Sequence, residues 1–200
     1  MTALRTVGRA RRAAAVILTV LAGTALATSC STTTTPGASV TRPAVDANLT
    51  RDGAQAQMVT HFTEVLAHAP TSLSLALAAP KPTLQAQEKG ITVPCYDDNT
   101  VHDSPVNLQV DFWVQGIPDG DETTAYHALV RAFTDAGLST TPDETTTDKI
   151  TRAYTPDGYA LELWLNSVGG LSLGASSPCF PATHDTTTTP QPTAIPHPTS

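Results

Sequence analysis

The chain has 200 residues, 18 acidic and 11 basic side chains, a formal charge of −7, and only 5% aromatic residues. All the aromatics lie between Phe62 and Phe180, so the middle ~135 residues can build one modest core, and a two-lobed architecture is excluded. Arg5, Arg9, Arg11 and Arg12 precede Cys30 and no acidic residue does, which leaves 7 basic against 18 acidic side chains in the remainder. That surface repels phosphate backbones and anionic headgroups, so no nucleic-acid partner is expected.

The first segment reads as an address. Ala13 to Ala27 is an apolar run of fifteen residues behind the arginines, right for a signal-peptide h-region and short of the ~20 residues that span a bilayer. It ends in Leu26-Ala27-Thr28-Ser29-Cys30. This resembles the lipobox of bacterial lipoproteins, with Ala27 at the position where leucine is commonest. The resemblance implies cleavage after Ser29 and diacylation of Cys30, and two fatty chains anchor stably where one does not. The competing readings are a plain secretory signal with a chance cysteine, and twin-arginine export through Arg11-Arg12.

Residues 30–47 are dominated by Ser, Thr, Pro and Ala, and residues 183–200 repeat the theme in Thr186-Thr187-Thr188-Thr189-Pro190. Such segments bury too little apolar area to offset ~1–2 kcal/mol of ordering entropy per residue. The first is expected to be a disordered stalk and the second a disordered tail, flanking a domain over residues 48–182.

Within that domain, Met58, Phe62, Val65, Leu66 and Ala69 recur at helical spacing and predict a helix over 49–69, capped by Asn48 or Thr50 and stopped by Pro70. Ser72 to Leu77 alternates and predicts a short strand. Val106 to Gln115 alternates over its whole length, with Val106, Leu108, Val110, Phe112 and Val114 on one face. A second helix is predicted over 121–136, with Tyr126, Leu129, Val130 and Phe133 as its stripe and Gly137 as its stop. Ile150 to Tyr154, the turn Thr155-Pro156-Asp157-Gly158, and a strand with Tyr159, Leu161, Leu163 and Leu165 on one face predict a hairpin. Gly169-Gly170 leads a last strand with Leu171 and Leu173. The expected fold class is α+β, a two-layer sandwich with two helices on one face of an antiparallel sheet.

With Cys30 lipidated, Cys95 and Cys179 remain as a pair outside the reducing cytosol and are expected to form a disulfide. Two free thiols are the alternative. A catalytic thiol is disfavoured because no histidine or basic residue adjoins either cysteine.

The order of these features resembles the small actinobacterial lipoproteins of the LppA type: lipidated Cys30, the first helix, Val93-Pro94-Cys95-Tyr96-Asp97-Asp98, the second helix, Gly158-Tyr159-Ala160-Leu161-Glu162-Leu163, Ser177-Pro178-Cys179 and a Thr/Pro tail. The resemblance implies an extracytoplasmic, envelope location and assigns no activity.

Asp97, Asp98, Asn99, His102 and Asp103 form the densest polar cluster. Oxygen donors and an imidazole could hold a cation, but the spacing matches no EF-hand or HExxH pattern, and a solvated acidic loop is the plainer reading. No metal or other cofactor is expected. His61 and His68 flank the stripe of the first helix and His127 sits on the second, all read as partly solvated. No catalytic residue is expected, since no nucleophile elbow, P-loop or dinucleotide fingerprint occurs. Trp113 and Trp164 stand out on the otherwise polar faces of their strands. They predict either an exposed aromatic binding face or a satellite core beneath residues 71–90.

The leading expectation is therefore a non-enzymatic, lipid-anchored accessory or binding module, with the membrane and another envelope protein as partners. The alternatives are a small-ligand or metal-binding lipoprotein and, behind it, a small extracytoplasmic hydrolase, which needs a nucleophile–base pair that the chain does not display.

Overall fold

Thr50 starts the first helix because its hydroxyl accepts the N–H of Gly53, one of the donors a helix leaves unpaired at its start. The computed structural model describes residues 43–96, 103–144 and 148–199. In it α1 spans Arg51–Ala67 and buries Met58, Phe62, Val65 and Leu66 of the expected stripe together with Ala54, while Ala69 is buried just past its end. The second helix, α2, spans Glu122–Asp135 and buries Tyr126, Leu129, Ala132 and Phe133. Gly137 follows it with φ 77°, a left-handed turn that costs a Cβ-bearing residue strain.

The strands are β1 (Ser74–Ala76), β2 (Ile91–Pro94), β3 (Val106–Gln115), β4 (Ser139–Glu144), β5 (Lys149–Tyr154), β6 (Ala160–Leu165), β7 (Leu171–Ser176) and β8 (Ala194–Ile195). They form one antiparallel sheet in the order β4-β5-β6-β7-β3-β1-β8, with β2 beside the start of β3. Both helices pack on one face. There Phe112, Leu173, Leu163 and Thr151 lie in one cross-strand row, and Phe62 meets Phe112 edge-on at 5.6 Å. Thr151 is buried, and its hydroxyl is satisfied by the Tyr126 hydroxyl at 2.7 Å. The fold is the expected two-layer α+β sandwich.

The Cys95–Cys179 disulfide joins the end of β2 to the segment leaving β7. Beside it Val45 bridges Cys179, and Val106 pairs with Phe180. The last residues of the expected stalk, Val45 and Asp46, thus already pair with the domain, ahead of the expected boundary at residue 48.

Four strands differ from expectation, β8 among them. β2 and β4 were not anticipated, because each carries a proline, and β4 takes the outer edge, where a missing N–H costs nothing. β1 is shorter than Ser72–Leu77, although Leu73, Leu75 and Leu77 are all buried.

The larger correction concerns residues 183–200, expected as a disordered tail. Of these, residues 183–199 run back across the domain as a strap. Asp185 pairs with Arg51 at 3.1 Å and accepts from Thr92. The Leu77 N–H donates to Thr193 at 2.9 Å, β8 pairs with β1, and Ile195 is 3% exposed. The segment has no core of its own and uses the domain's, which a composition argument misses.

Candidate binding face

The sheet face away from the helices is built in rows, because residues paired across antiparallel strands point the same way. One row is Trp113, Ser172, Trp164 and Ile150. The next is Asp111, Gly174, Glu162 and Arg152, and the third is Gln109, Ser176, Ala160 and Tyr154. Down the middle, β7 contributes only Ser172, Gly174 and Ser176. Larger side chains stand on both sides, so the face carries a trough of about 260 Å³ between Gln109/Asp111 and Arg152/Glu162. A second depression of about 400 Å³ adjoins it under the segment 85–91 and shares Gln109 and Asp111.

Ion pairing across the trough is uneven. The Arg152 Nε–H donates to Glu162 Oε2 at 2.8 Å. Gly174 has no Cβ, and the Asp111 carboxylate leans into the space one would occupy. Asp111 keeps part of its surface in solvent, yet lost solvation at the carboxyl, and then the charge of Glu162, raise its pKa above the usual carboxylate value.

The two tryptophans do not share one fate. The Trp113 Nε1–H donates to the carbonyl of Gln85 at 2.7 Å, and the residue is 8% exposed. Gly170 lies so close to its ring that a Cβ there would sit 2.7 Å away. Trp113 thus belongs to a satellite core under the 77–90 loop and leaves the expected binding pair. Trp164 is 40% exposed and Tyr154 is 47% exposed. Ser172 stands between the indoles, because β7 intervenes between β3 and β6.

His61 is also placed differently from its expected partly solvated position. It is 7% exposed and its ring lies tilted 5.2 Å from that of Tyr159, with Nε2 3.0 Å from Asp157 Oδ2 and Nδ1 3.4 Å from Glu64. Burial opposes the charge of Asp157, but hydrogen bonds from Thr155 and His61 outweigh it and hold its pKa below the usual value. Burial, with Asp157 and Asp46 adding to it, pushes the Tyr159 phenol up to about 12. The hydrogen-bond and ring partners of His61 among the described residues are Gln57, Glu64, Asp157 and Tyr159. The cluster ties the hairpin turn to α1. His68 and His127 are exposed.

Cys30, Asp97, Asp98, Asn99 and His102 lie outside the described residues, and Asp103 is exposed. Among the described residues, no three His, Cys, Asp or Glu side chains are grouped to hold a metal ion, and no helix is long and apolar enough to cross a membrane.

Period-two alternation is enough to place Gln109, Asp111 and Glu162 on a polar strand face. Arg152, Gly174 and Ser176 join them only through strand order and register, which alternation does not encode. The architecture defines a small α+β sandwich whose second sheet face is covered only in part, by the 77–90 loop over Trp113. The chain matches no protein-family model, no curated protein and no solved structure.

Proposed function

We propose that the protein is exported, anchored at the extracytoplasmic face of a membrane by lipid on Cys30, and acts there as a non-enzymatic binding module for another envelope protein. The open β5/β6 side of the sheet face, with Trp164 and Tyr154 exposed on paired strands, is the observation that carries this reading. Large apolar side chains held out from a rigid sheet give contact area at little entropic cost. The apolar run ending at Cys30 supports the address.

The test is photo-cross-linking in living cells with a photoreactive residue in place of Trp164, read by mass spectrometry. One dominant cross-linked protein is expected, absent when the probe replaces Thr186 of the strap. No specific product from position 164 would sink the binding role.

A further inference from the structure

Resting on the binding role proposed above, we infer that the trough between Asp111 and Glu162 seats a lysine or arginine side chain presented by the partner protein.

Charge is the first reason. Glu162 is already paired with Arg152. Asp111, across Gly174 on the same row, has no hydrogen-bond or ion-pair partner among the described residues. An exposed, unpaired carboxylate that lies over Gly174 and faces a second carboxylate on the same row is stabilised when a cation arrives.

Shape is the second reason. The trough is open and lined mainly by polar groups, whereas small-molecule sites are enclosed and mostly apolar. An open polar slot suits one side chain standing out from a protein surface. Gln109 and Ser176 at its rim offer further hydrogen-bonding groups to that side chain.

The flanking rows are the third reason. Trp164 lies two residues from Glu162 along β6, and Tyr154 two residues from Arg152 along β5, both on this face and both exposed. Aromatic faces take the alkyl stem of lysine or the plane of arginine. The acidic balance beyond Cys30 favours a basic partner at longer range.

The experiment uses the full-length protein in cells with the photoreactive residue at position 164, comparing the parent with Asp111→Asn, Asp111→Lys and, as a distant charge control, Asp135→Asn. Expected are a fall in cross-link yield of at least tenfold for both Asp111 variants, an unchanged yield for Asp135→Asn, and a mapped partner segment containing lysine or arginine. Equal yield from Asp111→Asn and the parent overturns the cationic occupant while leaving the binding face standing. No cross-link in the parent overturns the binding role and the occupant with it. If the Asp111 variants melt at a lower temperature, replacing the mapped basic residue of the partner by glutamine decides instead. The same tenfold loss supports the cation, and undiminished yield rules it out.

Discussion

Thr188, in the strap, grips Asp52 in the first turn of α1: its backbone N–H donates to Asp52 Oδ2 at 2.9 Å, and its hydroxyl reaches the same oxygen. Thr187 adds a hydroxyl bond at 2.9 Å to Oδ1. The carboxylate therefore holds the strap and also sits where the helix dipole favours negative charge.

The Thr188 hydroxyl and N–H, followed by Thr187, lower the pKa of Asp52 from its ordinary 3.8. A folded pKa below the unfolded one adds stability that is present above 3.8 and lost as the pH falls below it. Amide exchange in residues 187–189 should therefore accelerate as the pH drops below about 4, once corrected for intrinsic rates. In Asp52→Asn that extra acid step should vanish. An identical pH profile in the variant would show that Asp52 does not hold the strap.

The strap's apolar anchor is Ile195, buried in the core and paired with Leu75. Ile195→Ala removes most of that side chain from a packed site and should cost about 2–4 kcal/mol in urea unfolding. Removal of less than ~0.5 kcal/mol, the scale of a surface substitution, would mean that the strap is not docked in solution.

Much of the sandwich was legible because its main elements each carry a local signal. Val106 to Gln115 alternates without a break, Met58 and Phe62 are spaced for one helix face, and Gly137 and Gly158 stand where a positive φ is needed. The strap was not legible, since one isoleucine among threonines and prolines says nothing about the surface that receives it. The trough was half legible. Asp111 and Glu162 were visibly off the apolar faces, but Gly174 between them reflects register, and register is settled by the whole sheet. Trp113 and Trp164 looked alike in sequence and differ only because the 77–90 loop reaches one of them.

The Cys95–Cys179 bond closes a separation of 84 residues. Replacing both cysteines by alanine should cost about 2–5 kcal/mol, chiefly by freeing the unfolded chain. Reduction of the parent should lower the urea midpoint to the same value. A parent insensitive to reductant would mean that the bond contributes no stability.

The proposed lipid attachment would make Cys30 a chemical requirement for anchoring. Cys30→Ala should accumulate as uncut precursor, and membrane-fraction parent should carry a diacylglyceryl mass on its N-terminal cysteine. Normal cleavage of the variant would return the segment to an ordinary secretory signal.

Gly174 and Asp111 should prove energetically coupled. A methyl group at position 174 would occupy the space of Asp111 Oδ1 and press on the Val110 carbonyl oxygen at 3.2 Å. The carbonyl cannot move, and the carboxylate makes room only by giving up its place over β7. Gly174→Ala should therefore cost about 1–3 kcal/mol in the parent, as an overpacked site does. In an Asp111→Ala background the same substitution should cost less than half as much, because the flexible obstacle has gone and only the backbone contact remains. A double-mutant cycle by urea denaturation reads this directly, with a coupling of about 1 kcal/mol expected for residues in contact. Additive single effects would mean that the carboxylate points away from β7 in solution, which would also remove the geometric basis for a cation seat in the trough.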